Sequence, residues 1–303
     1  MGFIHPRSLL AVVLAGSLSA CVSDGPGHFA DVKPLLGKSG LPAAATAKLA
    51  GFGVEASMRS GPGNRIADIS DFSPSTAVVG EITLDAEGEA SGFILDNGPI
   101  PAKWTPQNSA FQQRDESIFS AVTHDGLSIV VGFLQGEDQV FGPWAVSNKI
   151  GDKGRMGAFS LGTETPPGAA PASGVARMGG ALMAVEARYN VGGVLLAKLE
   201  LELDHGARTA RLRSFESRPG SKLDPALDLT GLLTAAPGSA VFVGEVSMAN
   251  GMRGAAEARL YGPEGGRAGG VFSLRGTGSH IFVGGFGASV QAAEAAAPSE
   301  TQP

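Results

Sequence analysis

Histidine is the first residue to consider, because it is a common catalytic base and metal ligand. His124 and His205 each lie beside an aspartate and a glycine in a predicted turn. His280 begins a predicted strand, and His28 lies near the amino terminus. A metal site needs several ligands at short spacing, and a catalytic base needs an orienting partner. These histidines are isolated along the chain, so we predict no metal site, no catalytic residue and no cofactor.

Motifs that carry other chemistry are missing from the sequence. It contains neither the Gly-x-Ser-x-Gly turn of hydrolases nor the Gly-x-x-x-x-Gly-Lys phosphate loop. The glycine-rich stretch 262–270 could suggest a phosphate cradle, but a predicted strand lies on each side of it and no helix follows. We therefore predict that the protein is not an enzyme.

Cys21 is the only cysteine, and its surroundings indicate a specific modification. Residues 1–20 contain Arg7, an apolar stretch over 9–14 and then small residues, which is the layout of a secretory signal too short to span a bilayer. The sequence LSAC at 18–21 matches the bacterial lipobox. We predict cleavage after Ala20 and acylation of Cys21, with palmitate among the chains. The alternative is a cysteine placed by chance in an ordinary signal peptide.

The acyl chains would anchor the mature protein more firmly than a single chain could. Val22 follows the cysteine where an inner-membrane retention signal usually places aspartate. We therefore predict a protein attached to the outer membrane by its lipid anchor.

The composition predicts a chain of many short strands. Of 303 residues, 45 are glycine and 19 are proline, while 43% are hydrophobic and 17% are charged. This is enough apolar material for the cores of two domains, and the glycine and proline favour turns over long helices. The net charge of −6 gives no electrostatic footprint for nucleic acid, and a single cysteine allows no internal disulfide.

Hydrophobic alternation and proline content predict an all-β protein in several segments. We expect a lipidated tether over 21–65, with a short helix at 42–49, and then a small antiparallel sheet over 66–165. The proline-rich stretch 160–174 separates this sheet from an eight-stranded β-barrel over 174–290, which is followed by a disordered tail over 291–303. The predicted barrel strands are 174–188, 192–204, 208–215, 226–235, 240–249, 254–261, 268–275 and 280–288.

The predicted barrel strands alternate between apolar and polar residues, so each has one core face and one solvent face. In the second of them, leucine and alanine alternate with charged residues over 197–204. The basic residues of the following strand could pair with the acidic ones across the hairpin. The interior is predicted to be filled by Leu199, Leu201, Leu212, Phe272 and Leu274.

Tryptophan and methionine supply candidate contacts with a partner. Trp104 lies among prolines in a predicted loop, where its ring could either anchor a ligand or belong to a core. Trp144 lies in an alternating strand, which favours the core. Met248 and Met252 flank a predicted hairpin tip, and methionine makes adaptable contact surfaces. The candidate ligand contacts are therefore Trp104, Met248 and Met252.

The sequence contains several further motifs: YGPE at 261–264, GGVFSL at 269–274 and FGA at 286–288, preceded by FGPW at 141–144 and GAFSLGTETP at 157–166. They resemble motifs of the transferrin-binding protein B family of bacterial surface lipoproteins. The order of the motifs matches the family, although Leu260 and Val271 replace its phenylalanine and threonine. The residues that carry the resemblance are Tyr261, Gly262, Pro263, Gly269, Gly270, Phe272, Phe286, Gly287 and Ala288.

The resemblance implies one lobe, with a handle sheet followed by an eight-stranded barrel. It further implies a cell-surface lipoprotein that binds a host or environmental protein, or an iron- or haem-bearing ligand, for uptake. An outer-membrane transporter and a lipoprotein export translocon would then be its partners. Two alternatives remain open: a structural or assembly lipoprotein that faces the periplasm, and a carrier that holds a small apolar ligand inside the barrel.

Overall fold

The computed structural model describes residues 46–60, 66–96, 102–113, 117–135, 139–148, 153–187, 192–278 and 280–290. These residues form eighteen β-strands and one short 3-10 turn, Pro225–Leu227. Among them there is no helix with the length and hydropathy needed to cross a membrane. The predicted signal peptide, Cys21 and the predicted tail lie outside the described residues.

The first ten strands form one antiparallel sheet, which we call the handle. They are β1 (Thr46–Ser60), β2 (Ile66–Ile69), β3 (Thr76–Leu84), β4 (Ala90–Asp96), β5 (Ala102–Trp104), β6 (Ser109–Gln113), β7 (Ile118–Thr123), β8 (Ser128–Leu134), β9 (Gln139–Ser147) and β10 (Lys153–Gly162). Nine follow the order β5-β4-β3-β1-β10-β9-β8-β7-β6, and β2 pairs with β1. The backbone N–H of Ala90 in β4 donates to Gln113 Oε1 in β6 at 2.9 Å, so the sheet curls almost into a closed ring.

The inside of this curled sheet is an aromatic core. Phe93 lies 5.0 Å from Phe159 and 5.6 Å from Phe119 between ring centroids, and 6.1 Å from Trp104. Such tilted ring pairs add to the apolar area that folding removes from water. The other buried members include Ile82, Leu95, Val130, Val140, Trp144 and Leu161.

β1 occupies residues that the sequence predicted to be tether and, up to Leu49, helix. It pairs with β10 over residues 50–59 and with β3 over residues 46–53, which makes it a central strand of the handle. The helix prediction is therefore wrong for residues 46–49. Alanine and glycine hide the alternation of this strand, and its large buried side chains are only Phe52 and Met58.

The last eight strands form a closed antiparallel barrel, which confirms the predicted all-β class and strand number. They are β11 (Val175–Ala187), β12 (Gly192–Asp204), β13 (Thr209–Pro219), β14 (Leu229–Ala235), β15 (Val241–Met248), β16 (Arg253–Tyr261), β17 (Arg267–Arg275) and β18 (Ile281–Val290). Each strand pairs with the next, and β18 pairs with β11 to close the ring.

Side chains fill the interior of the barrel. Along one row of neighbouring strands the inward residues are Leu212, Gly231, Val246, Gly254 and Leu274. A Cβ on Gly231 would lie 2.5 Å from Val246 Cγ1, so the glycine makes room for its neighbour. This alternation of large and small residues fits the small radius of an eight-stranded barrel. The predicted interior residues are all buried: Leu199, Leu201, Leu212, Phe272 and Leu274.

The handle packs against one side of the barrel through an apolar contact. From the handle it includes Phe52, Met58, Ile129, Phe141 and Met156, and from the barrel Met183, Val185, Leu196, Val271 and Val283. Among the described residues, β13, β14 and β15 contribute nothing to this contact. We call the outward side of these three strands, with the adjoining outer residues of β12 and β16, the free wall.

Glycines bring the two backbones together at this contact. A Cβ on Gly285 of β18 would lie 2.7 Å from Phe159 O and 2.9 Å from Gly142 N, both in the handle. A Cβ on Gly269 of β17 would lie 1.9 Å from Gln139 Nε2. Of the signature glycines, Gly269 and Gly287 therefore allow close approach between handle and barrel, whereas Gly270 makes room for Phe286 within the barrel. Gly262 lies in a turn with a φ of 82°.

Candidate functional site

The signature residues around Tyr261 bond the barrel to the handle. The Tyr261 side chain is fully buried, and its hydroxyl donates to Ser160 O at 3.2 Å and lies 3.2 Å from Ser160 Oγ. The N–H of Gly262 donates to Thr163 O at 2.8 Å, and Thr165 Oγ1 donates to Gly262 O at 2.8 Å. Because these groups are paired within the chain, this part of the signature orients the two parts of the protein.

Tyr261 also makes the stability of the protein dependent on pH. Burial raises the pKa of its hydroxyl above the ordinary value, while the hydrogen bond to Ser160 opposes the shift. Above pH 10 the unfolded chain releases a proton that the folded chain keeps, so stability falls as the pH rises. We expect the wild type to lose up to about 1.4 kcal/mol per pH unit more than Tyr261→Phe.

Urea unfolding of both proteins between pH 8 and pH 11 measures this difference. At pH 8 the variant should be less stable by about 1 kcal/mol, because the hydroxyl bonds are lost. Parallel loss of stability in both proteins above pH 10 would contradict the assignment to Tyr261.

Two barrel arginines fix the direction of the handle along the barrel. Arg259 lies with its guanidinium 4.5 Å from the ring centroid of Phe52 in β1, and Arg259 Nη1 lies 2.6 Å from Glu164 Oε1. Arg275 Nη2 donates to the backbone oxygen of Ser70 and lies 3.2 Å from Asp71 Oδ1. β1 therefore runs alongside the barrel from the level of Arg259 to the level of Arg275.

This arrangement defines two ends of the barrel. The near end carries the turns 205–208, 236–240 and 262–266, and the far end carries the loops 220–228, 249–252 and 276–278. Ala50 of β1 pairs with Gly162, one residue before the contact of Thr163 with the near-end turn. The four residues from Thr46 to Leu49 extend about 13 Å further. Thr46, the first described residue, thus lies at the near end.

The far end exposes two loops with mixed chemistry. Leu223 is an apolar side chain with 45% of its surface exposed, and Lys222 beside it is also exposed. The hairpin tip between β15 and β16 exposes Ala249, Asn250 and Gly251. An apolar side chain among polar neighbours on a protruding loop can contribute to a protein contact.

The three predicted ligand contacts are buried. Trp104 has no exposed surface and lies in the handle core, while Met248 and Met252 are each 3% exposed and lie in the barrel core. The prediction of surface contact is therefore wrong for these side chains. Met248 is an inward residue of β15. Met252 packs beside Gly276, and its Cγ would lie 3.0 Å from a Cβ added to that glycine. Trp144 is in the core as predicted.

The described histidines lie apart from one another in the structure. His124 and His205 lie in hairpin turns, as predicted. His280 does not stand alone, because its Nε2 lies 2.8 Å from Glu186 Oε1. Sequence reasoning missed this pair, because its members are 94 positions apart and β11 and β18 meet only when the barrel closes. In the part of the chain that the structure describes, no three histidine, cysteine or acidic side chains are placed to hold a metal ion.

The free wall carries a broad groove with a volume of about 1120 Å³. Leu232 of β14 is one of its lining residues, and half of this residue's surface is exposed. The groove is shallow and open to solvent, unlike an enclosed pocket for a small molecule. Its charged lining residues are Glu200, Glu202, Arg211, Arg213, Glu245 and Arg253.

Neither a protein-family model nor a curated protein matches this chain. Solved structures do. A mutant of transferrin binding protein B from Haemophilus parasuis Hp5 is 12% identical, with 83% of this chain and 77% of that chain covered and a TM-score of 0.44. The same protein from Actinobacillus pleuropneumoniae H49, also a mutant, is 14% identical, with 80% and 100% covered and a TM-score of 0.44.

HpuA from Kingella denitrificans, solved in complex with human haemoglobin, is 13% identical, with 86% of this chain and 93% of that chain covered and a TM-score of 0.40. The matched structures thus include members of the family that the sequence motifs resemble.

Proposed function

We propose that this protein is a lipid-anchored outer-membrane lipoprotein that is displayed at the cell surface and binds a protein ligand through the far end of its barrel. The observation that carries the proposal is the direction of β1. Thr46, the first residue of β1, lies at the near end, away from the far-end loops. A lipid on Cys21 would hold the near end toward the membrane and present the far end outward.

The filled interiors of the barrel and the handle favour ligand binding at the outer surface of the protein. Side chains occupy the inward positions of the barrel, and aromatic rings occupy the inside of the handle. This argues against the carrier alternative, which needs an internal chamber. The exposed groups at the far end are apolar, cationic and amide side chains, which suit a protein surface.

The motif resemblance extends the proposal to uptake. The ligand would be a host or environmental protein, with iron or haem as its cargo, and would pass to an outer-membrane transporter. The lipoprotein itself would reach the surface through a dedicated export translocon. These partners rest on the resemblance and on the predicted lipobox.

The ligand test uses the mature chain as bait against serum proteins, haemoglobin and free haem. We expect a protein to be retained, and Leu223→Glu to weaken its binding about tenfold by placing a charge in the contact. Val175→Glu is the matched control, because Val175 is 60% exposed at the near end. Equal weakening by both variants, or retention of free haem alone, would refute a protein site at the far end.

Display at the surface needs a separate test. Protease added to intact cells should remove the protein, and mass spectrometry of the mature amino terminus should show lipid on Cys21. A protein untouched by the protease would instead face the periplasm, as the assembly alternative requires. Under that alternative, a deletion strain should also grow normally on every iron source.

A further inference from the structure

The outer residues of the free wall lie in ordered rows across five strands. In the first row, Glu202, Arg211, Leu232, Glu245 and Ala255 are successive cross-strand partners on β12 to β16. Neighbouring strands are about 4.8 Å apart, so residues at equal distances on either side of β14 have equivalent positions. Arg211 and Glu245 are such a pair, with Leu232 between them.

The second row repeats this arrangement two residues further along β14. Its members in strand order are Glu200, Arg213, Thr230, Ser247 and Arg253. Glu200 and Arg253 occupy equivalent positions on the two sides of Thr230. In the second row, therefore, the two outermost charges, Glu200 and Arg253, are opposite in sign. In the first row, the two charges next to β14, Arg211 and Glu245, are also opposite in sign.

Three of these charges have no ion-pair partner within the described residues: Arg211, Glu245 and Arg253. Of the acidic residues on β12, Glu202 lies 3.5 Å from Arg177 and Glu200 lies 3.6 Å from Arg213, measured between the charged atoms. The exposed leucine between the unpaired charges adds apolar surface. The chain itself thus leaves a set of charges on the free wall that a partner could neutralise.

We propose that the partner of the free wall is a second copy of this chain, related to the first by a two-fold axis along β14. Such an axis exchanges the two sides of β14, so Arg211 of each copy faces Glu245 of the other. Glu200 likewise faces Arg253. Leu232 and Thr230 lie on the axis and each meets its own copy. The surface is therefore complementary to itself, which is the requirement for a symmetric dimer.

The direction of the axis fits attachment to one membrane. An axis along a strand keeps the near ends of both barrels on the same side of the dimer, so both chains can be anchored in one leaflet. A two-fold axis across the strands would reverse one copy and would place Arg211 opposite Arg213. Both the pairing of opposite charges and the attachment of both chains to one membrane therefore favour the axis along β14. This dimer goes beyond the proposed ligand site, because it leaves the far-end loops free.

Cross-linking in intact cells tests the dimer with the full lipoprotein. Cys21 is the only cysteine, so Leu232→Cys would provide a single unmodified thiol on the axis. A short bis-maleimide should then give a product of dimer mass. Val175→Cys is the control, because Val175 is exposed on β11, three strands round the closed barrel from β14, so the axis does not bring its two copies together. Equal yields from the two variants would overturn the proposal.

Charge exchange in the Leu232→Cys background identifies the ion pairs. Arg211→Glu should lower the yield about fivefold, because each glutamate then faces a glutamate. Adding Glu245→Arg should restore the yield, since the same pairs form with their signs exchanged. Co-expression of the two single variants should restore it as well. A double variant as weak as the single one would overturn the pairing, and none of these changes should affect ligand binding at the far end.

Discussion

Replacing Gly285 by valine is expected to lower the free energy of unfolding by about 3 kcal/mol. Gly285 faces outward from β18, and even a Cβ there would lie 2.7 Å from Phe159 O and 2.9 Å from Gly142 N. Both neighbours are backbone atoms of paired strands and cannot rotate away. The valine must therefore push the handle from the barrel or distort one of the two sheets.

Gly266→Val provides a matched control for this substitution. Gly266 lies in the turn between β16 and β17, and a Cβ there would meet no atom within 4 Å. The free energy of unfolding of Gly266→Val should remain within about 0.5 kcal/mol of the wild-type value. Urea unfolding measures both variants, and proteolysis within the linker 163–174 should become faster only in Gly285→Val. An undisturbed Gly285→Val variant would show that the two backbones are not in contact at this position.

The glycines show where sequence patterns were sufficient and where they were not. Alternation of apolar and polar residues predicted the eight barrel strands, because each strand has one solvent face. The high glycine content predicts only turns in place of long helices. Gly269 instead lies in β17 at the handle contact, and nothing in its own neighbourhood indicates this. Close approach depends on residues such as Gln139, which lies far away in the sequence.

β1 and the predicted ligand contacts illustrate the same limit. The helix prediction at 42–49 relied on alanine, whose helix preference is weak enough for pairing with two strands to override it. Trp104 was predicted to lie in a loop because prolines surround it, yet a strand of three residues places its ring inside the handle. The charge symmetry of the free wall needs the register of five strands. Sequence alternation predicts the strands but not that register.

Trp104 should therefore act as a core residue when it is mutated. Trp104→Ala is expected to destabilise the handle by about 3–5 kcal/mol, because it removes a fully buried ring that packs on Phe93. A surface contact would instead lose ligand affinity without any loss of stability. Thermal unfolding and ligand binding, measured on the same preparation below the melting temperature, separate these two outcomes.

Trp104→Phe is the matched variant for this test. The Nε1 atom of Trp104 is buried, and it has no hydrogen-bond partner within the described residues. A phenylalanine keeps most of the ring contact and removes this unpaired donor, whose burial costs about 1–3 kcal/mol. Its loss of stability should therefore be much smaller than that of Trp104→Ala. If both variants retained wild-type stability while ligand binding fell, Trp104 would be a ligand contact, and its position in the handle core would be wrong.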